Sequence, residues 1–134
     1  MQPRKILVVE DFEELRRFVC SLLQPRAEFR VELASDGVEA VQKAEEIQPD
    51  LILLDIGLPK LNGIEVARRV NKLPVAAKIM FFSGQSDSDL VREALRLGAG
   101  YLHKSRVQSD LLPAIETVLR GERFVSAGLL PTLP

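Results

Sequence analysis

The chain has 134 residues, of which 46% are hydrophobic and 28% are charged, as expected for a single globular domain. Its 18 basic and 19 acidic residues give a formal net charge of -1, so no overall positive field favours nucleic acid or an anionic membrane. The one cysteine, Cys20, excludes an internal disulfide, and no apolar run approaches the roughly 18 residues of a membrane span. We therefore expect a cytoplasmic protein.

Five short apolar blocks predict β-strands. They are residues 6–9, 29–33, 51–54, 79–82 and 101–102. After each block, apolar residues recur at the three- and four-residue spacing of an amphipathic helix. Strands that alternate with helices in this way indicate a doubly wound parallel sheet with helices on both faces.

The composition of the blocks predicts their places in the sheet. Blocks 6–9, 51–54 and 79–82 are apolar throughout, which is typical of strands covered on both faces. Block 29–33 alternates between apolar and charged residues, which suits an edge. We predict a flavodoxin-like (βα)5 three-layer sandwich with a five-stranded parallel sheet of order 2-1-3-4-5. Ser35 and Asp36 precede the second helix and are the expected source of its cap.

The end of the chain is less regular. Proline is tolerated in the first turn of a helix, so Pro113 predicts that the fifth helix begins with a cap at Ser109 or Asp110. Residues 121–134 carry two prolines and two glycines and have no clear period. We expect one domain over residues 4–120, and we interpret 121–134 as a tail or as the start of a linker to an output domain that this sequence lacks.

Acidic residues follow the first and third blocks directly. Glu10 and Asp11 end the first block, and Asp55 ends the third. The carboxyl ends of parallel strands meet at one edge of the sheet, where ligands gather. Two carboxylates about 4 Å apart repel by roughly 4 kcal/mol at an effective dielectric constant of about 20. A cation or a reaction must offset that repulsion.

A hard divalent cation suits a site made only of oxygen atoms. We expect Mg2+, with Mn2+ as an alternative ion. Asp11 and Asp55 are the expected direct ligands, and Glu10 is expected to act through water. A backbone carbonyl just after Asp55 would complete the set, and Gly57 is its natural donor.

Asp55 is also chemically able to accept a phosphoryl group, because phosphoryl transfer needs mainly placement and charge neutralisation. Ser83 and Gly84 follow the fourth block, and Lys104 follows the fifth. The Ser83 hydroxyl and the Gly84 amide can donate to phosphoryl oxygens, and Lys104 can supply positive charge. The sequence therefore predicts a phosphoryl site around Asp55.

Four motifs carry a resemblance to a known family. They are KILVVED at 5–11, DIGLP at 55–59 with Asn62-Gly63, FSG at 82–84 and GAGYLHK at 98–104. In this order they resemble the receiver domain of bacterial two-component response regulators, over about residues 4–120. Receivers often have proline after the lysine of the last motif, whereas here Ser105 follows.

The resemblance implies a signalling role. Asp55 would be phosphorylated from a sensor histidine kinase or a phosphotransfer protein, Ser83 and Lys104 would bind the phosphoryl group, and Tyr101 would be the switch aromatic. The implied Mg2+ ligands are Asp11, Asp55 and the Gly57 carbonyl, with Glu10 assisting. Such a domain is not an enzyme, although it assists its own phosphorylation and dephosphorylation.

Residues 100–105 and 119–126 further resemble the subgroup whose output is a helix-turn-helix DNA-binding domain. This implies transcription regulation in a full-length protein and a phosphorylation-linked homodimer. The arginines at 16–17, 68–69 and 120–123 are scattered, so we expect no direct nucleic-acid binding by this segment and no membrane partner.

Other interpretations of the sequence stay open. A single-domain or constitutive interaction module would have the same fold. An aspartyl-phosphate hydrolase of the haloacid dehalogenase type usually needs an aspartate two residues after the first, and position 57 is glycine. A flavin binder would need a phosphate-cradling loop where Glu10 and Asp11 stand. His103 has no partner histidine or cysteine for metal binding, so we interpret it as a strand-end residue.

Overall fold

Six parallel strands form one sheet in the computed structural model, which describes residues 2–129. They are β1 (Arg4–Val9), β2 (Phe29–Ala34), β3 (Leu51–Asp55), β4 (Lys78–Ser83), β5 (Gly100–His103) and β6 (Phe124–Val125). Their order is β2-β1-β3-β4-β5-β6, so the predicted order 2-1-3-4-5 is confirmed for the first five strands. The alternating strand β2 lies at an edge, and the apolar strands β1, β3 and β4 lie inside.

Five α-helices connect the strands. They are α1 (Glu13–Leu23), α2 (Gly37–Ile47), α3 (Gly63–Asn71), α4 (Ser88–Leu97) and α5 (Val107–Leu119), with a 3-10 turn at Lys104–Arg106. The predicted cap of α2 is confirmed, because the Asp36 carboxylate accepts a hydrogen bond from the Glu39 amide at 2.8 Å. Among the helices of residues 2–129, none is both long enough and apolar enough to cross a membrane.

The sheet separates two apolar cores, as a three-layer sandwich requires. Leu7 and Val9 of β1 face the core that packs under α2, α3 and α4. Ile6 and Val8 face the other core, which packs under α1 and α5. All four side chains are fully buried. Because successive strand residues point to opposite faces, one apolar run supplies both cores, and the flavodoxin-like architecture is confirmed.

A sixth strand was not predicted. Phe124 and Val125 pair with Gly100 and Tyr101 at the edge of β5. The Ser126 amide donates to the Tyr101 carbonyl at 3.0 Å, and the Ser126 hydroxyl accepts from the His103 amide at 2.9 Å. The residues expected to form a tail or linker thus join the sheet through residue 126, whereas residues 130–134 of that segment lie outside the described part of the chain.

The predicted start of the fifth helix was wrong. Helix α5 begins at Val107, and Pro113 lies inside it on an exposed face. The Lys104–Arg106 turn leads directly into the helix, so no cap at Ser109 or Asp110 is needed. Proline costs a helix one amide hydrogen bond, and on an exposed face water can satisfy the carbonyl that loses its partner.

The glycine that begins α3 lies against the end of β3. A Cβ at Gly63 would lie 2.2 Å from the Asp55 carbonyl oxygen, a backbone atom that cannot swing aside. The Gly63 amide also donates to the Ile56 carbonyl at 2.8 Å. Close packing of α3 therefore fixes the backbone on which the Asp55 side chain is carried.

We expect Gly63→Ala to lower the free energy of unfolding by about 1–3 kcal/mol, because the added methyl group overpacks this contact. The matched control is Gly84→Ala, since a Cβ at Gly84 has no neighbour within 4 Å. Urea denaturation of both variants measures the difference. Equal stability of the two would show that the backbone at β3 relaxes freely.

We expect Ser126→Ala to cost about 1 kcal/mol of stability, because the His103 amide loses its hydrogen-bond acceptor. Ser21→Ala is the control, since the Ser21 hydroxyl donates to a carbonyl on an exposed part of α1. Thermal denaturation compares the two. A loss no greater than that of Ser21→Ala would mean that β6 adds nothing to the fold.

Candidate functional site

The strand register places the candidate residues at one edge of the sheet. Val9 of β1 is opposite Leu54 of β3, so the next residues along the two strands are Glu10 and Asp55. Ser83 of β4 is opposite His103 of β5, and Lys104 comes one residue later. Four neighbouring strands thus deliver polar side chains to their shared carboxyl edge.

The acidic residues form a compact cluster. Carboxylate oxygens of Glu10, Asp11 and Asp55 all lie within 4.8 Å of one another. Glu10 and Asp55 are buried, with 1% and 4% of their surface exposed, whereas Asp11 is exposed. Two carboxylates therefore sit inside the protein, and the third opens the cluster to solvent.

The Lys104 ammonium lies between the two buried carboxylates. Its Nζ is 2.9 Å from Glu10 Oε1 and 3.3 Å from Asp55 Oδ1, and 26% of the side chain is exposed. It also lies 5.4 Å from the centre of the Phe82 ring, within the range of a cation–π contact. Burial lowers the pKa of Lys104, but the two carboxylates outweigh burial, so its pKa lies above the ordinary value.

Burial disfavours the charged forms of the two buried carboxylates. Burial raises the pKa of both Glu10 and Asp55, against the opposing effect of Lys104. Glu10 Oε1 is fully buried, and among the described residues the group that lies beside it is the Lys104 ammonium, at 2.9 Å. One lysine charge for three clustered carboxylates leaves a donor set that fits a hard divalent cation.

Backbone groups hold the carboxylates in place. The Phe12 amide donates to Glu10 Oε2 at 3.0 Å, and the Gly57 amide donates to Asp55 Oδ1 at 3.2 Å. The Arg16 side chain of α1 donates to the Glu10 carbonyl at 2.9 Å. Each buried carboxylate is thus bonded to an amide of the loop that follows its own strand.

A second group of contacts joins Ser83 to Tyr101 through the backbone of Gln85. The Gln85 amide donates to the Ser83 hydroxyl at 3.1 Å, and the Tyr101 hydroxyl donates to the Gln85 carbonyl at 2.9 Å. Tyr101 is fully buried, and burial raises the pKa of its phenol. Movement of the loop after β4 would therefore change the hydrogen bonds of both Ser83 and Tyr101.

The structure brings together four of the candidate residues in direct ionic or carboxylate contact: Glu10, Asp11, Asp55 and Lys104. Ser83 and Tyr101 are linked to each other beside this cluster, at the ends of β4 and β5. For Gly57, the contact seen is the donation of its amide to Asp55, while the expected role of its carbonyl stays a prediction.

Ser105, which stands where receivers often have proline, is hydrogen-bonded to the last residue of β5. His103 Nδ1 accepts a hydrogen bond from the Ser105 amide at 3.1 Å and lies 2.7 Å from the Ser105 hydroxyl. His103 thereby caps the 3-10 turn that contains Lys104. The interpretation of His103 as a strand-end residue agrees with this position.

Sequence reasoning missed two residues that contact the site. Arg16 was noted only among scattered arginines, and Phe82 only as the end of an apolar block and the first residue of the FSG motif. The spacing of Arg16 could have indicated its contact, because it is the fourth residue after Phe12 and so lies one helical turn from the end of β1. No pattern in the sequence indicates the contact of Phe82 with Lys104, because it depends on pairing between β4 and β5.

Comparison with known proteins agrees with this geometry. Residues 6–116 match the family model of the response regulator receiver domain. The chain is 35% identical over 134 residues to the nitrate/nitrite response regulator protein NarL of Escherichia coli (strain K12), a match that covers 98% of this chain and 62% of that protein. It is 37% identical over 119 residues to the transcriptional regulatory protein LnrK of Bacillus subtilis (strain 168), covering 87% of this chain and 54% of that protein.

Solved structures give the same result. A two-component response regulator of the LuxR family from Aurantimonas sp. SI85-9A1 superposes with a TM-score of 0.88 at 30% identity, covering 96% of this chain and 93% of that one. The signal receiver domain of the putative response regulator NarL from Mycobacterium tuberculosis superposes with a TM-score of 0.86 at 25% identity, covering 91% of this chain and 100% of that one.

The chain thus spans less than two thirds of the length of the two curated relatives, 62% and 54%, while it matches receiver structures almost end to end. Its fold, the polar edge of its sheet and its family match lead to one assignment. The chain belongs to the response regulator receiver domain family, and its relatives include transcriptional regulators of the NarL type.

Proposed function

We propose that residues 4–120 form a phosphoacceptor domain in which Asp55 receives a phosphoryl group from the phosphohistidine of a sensor histidine kinase or phosphotransfer protein. One observation carries the proposal. The Lys104 ammonium lies within 3.3 Å of a buried Asp55 carboxylate oxygen that shares its cluster with two other acids. A carboxylate held this way is placed to react, and a charge for the incoming group is already beside it.

The proposed step is a simple displacement. A carboxylate oxygen of Asp55 forms a bond to phosphorus, and the phosphorus–nitrogen bond of the donor histidine breaks, with its electron pair remaining on the imidazole. Asp55 then carries an acyl phosphate, which adds about two negative charges and three acceptor oxygens. Lys104 stays beside the group as its counter-charge. The domain acts as a signalling unit and not as an enzyme with a separate substrate.

We propose that Asp11, Asp55 and the Gly57 carbonyl hold Mg2+, with Mn2+ as an alternative ion, and that Glu10 assists through water. The ion would supply positive charge that offsets repulsion in the cluster and on the phosphoryl oxygens. The clustering of three carboxylates beside a single ammonium and the exposed carboxylate of Asp11 support this assignment.

We propose that Ser83 binds the phosphoryl group and that Tyr101 is the switch aromatic. The Gln85 backbone supports this role, because it accepts from Tyr101 and donates to Ser83. A Ser83 hydroxyl that turns toward the acyl phosphate changes the position of the Gln85 amide, and the Tyr101 bond changes with it. The affected surface is the one formed by α4, β5 and α5.

The wider role is inferred from the relatives. We propose that the chain serves as the receiver of a cytoplasmic transcription regulator, that an output domain binds the DNA, and that phosphorylation promotes homodimer formation. The curated relatives are longer than this chain and are described as response regulators or transcriptional regulators, which supports that arrangement. A constitutive interaction module is the alternative, and the following experiment separates the two.

Incubation with acetyl phosphate and Mg2+ is expected to add one phosphoryl group to the protein, as measured by intact mass. Asp55→Asn should abolish the addition, because an amide oxygen does not form the acyl phosphate. Asp89→Asn is the control, since its carboxylate is 95% exposed on α4 and should leave the addition unchanged. An unmodified wild-type protein would favour the constitutive module.

Mg2+ is expected to raise the stability of the protein by roughly 2.7 kcal/mol at 100 times its dissociation constant. The melting temperature, followed by far-ultraviolet circular dichroism, measures the effect. Asp11→Asn should remove the gain, because it removes one proposed ligand without changing the size of the side chain. If Mg2+ leaves the melting temperature of the wild type unchanged, the proposed ligand set is wrong.

A further inference from the structure

Arg16 holds both residues that flank Asp11. Its guanidinium donates to the Glu10 carbonyl at 2.9 Å, and its own amide donates to the Phe12 carbonyl at 3.0 Å. Asp11 lies between those two carbonyls and is itself exposed to solvent. The second bond is the ordinary first backbone bond of α1, whereas the first is made by the Arg16 side chain, which therefore restrains the backbone just before Asp11.

Besides the bond from the Phe12 amide to Glu10 Oε2, the Arg16 guanidinium is the group of the described residues that joins the beginning of α1 to the end of β1. The cap position of this helix is Phe12, whose side chain cannot accept a hydrogen bond, and no side-chain cap is formed there. The Arg16 guanidinium ties the first turn of the helix back to the end of β1 instead. The neighbouring Arg17 differs, because it pairs with Glu13 at 2.7 Å and its side chain is 78% exposed.

We propose that Arg16 is a positioning residue for the divalent-cation site, acting through the Glu10 carbonyl to hold the Asp11 carboxylate toward Asp55. This inference rests on the proposed Mg2+ site and adds a residue outside the proposed ligand set. Groups that orient a metal ligand typically change metal affinity by about 10- to 100-fold when they are removed.

Charge alone would have the opposite effect. A guanidinium near three carboxylates repels a divalent cation, so its removal should tighten Mg2+ binding if Arg16 acts only as a charge. Positioning and simple electrostatics thus predict changes of opposite sign in the dissociation constant. The direction of the change in one variant decides between them.

The test is titration of the purified full chain with Mg2+ by isothermal titration calorimetry. We expect Arg16→Ala to weaken binding roughly tenfold and Arg16→Lys to restore part of the loss, because lysine can still donate to the Glu10 carbonyl. Arg17→Ala is the matched control for loss of a positive charge on α1, and it should bind within about twofold of the wild type.

A second measurement separates positioning from a general loss of structure. With acetyl phosphate as donor, the phosphorylation rate of Arg16→Ala should return to the wild-type value once Mg2+ is raised to saturation. Damage to the fold would instead lower that saturated rate and the melting temperature without Mg2+. If Arg16→Ala does not fold, Arg16→Gln and Arg16→Lys take its place, and Lys should bind Mg2+ more tightly than Gln.

The possible failures are distinct. Absence of Mg2+ binding to the wild type contradicts the proposed metal site itself. If the wild type binds Mg2+ and Arg16→Ala binds equally or more tightly, the metal site stands and the positioning role of Arg16 is wrong. That role is also wrong if the Arg16→Gln and Arg16→Lys variants both bind Mg2+ like the wild type.

Discussion

The contact of one lysine with two buried carboxylates governs the carboxyl edge of this sheet. Without a counter-charge, Glu10 and Asp55 would be desolvated anions side by side, and burial already raises the pKa of each. Lys104 lies within hydrogen-bonding distance of both, at 2.9 and 3.3 Å. Strands β1, β3 and β5 must therefore keep their relative positions for the site to exist.

This group of charges is not balanced. One ammonium faces three clustered carboxylates. A cluster without this excess negative charge would attract a cation less strongly. The excess negative charge is open to solvent through Asp11, so a cation in solution can reach it.

Helices on both faces of the sheet hold this edge. From one face, α3 packs its first residue, Gly63, against the Asp55 backbone. From the other, α1 reaches the Glu10 carbonyl through Arg16. The loop before α4 connects Ser83 with Tyr101 through Gln85. Elements on both sides of the sheet thus contact the carboxyl edge that carries Asp55.

Elements with a local sequence pattern could be predicted, whereas elements that depend on pairing with distant residues could not. Interior strands such as 51–54 are recognisable because burial on both faces demands an unbroken apolar run. The sixth strand escaped detection, because two residues, Phe124 and Val125, carry no period and become a strand only by pairing with β5. The start of α5 was misplaced since the preceding turn, and not a local cap, begins the helix.

The sequence by itself determined the fold class and the acidic and basic residues that follow its strands, because alternating strand and helix patterns indicate a parallel sheet, and the strand order followed from the usual order of that fold. The tertiary structure decided which atoms meet there. Three sets of contacts join residues from different elements: Lys104 with Glu10 and Asp55, Arg16 with the Glu10 carbonyl, and Ser83 with Tyr101 through the Gln85 backbone. Such contacts depend on distances set by packing, and a local sequence pattern indicates at most which residues come near one another.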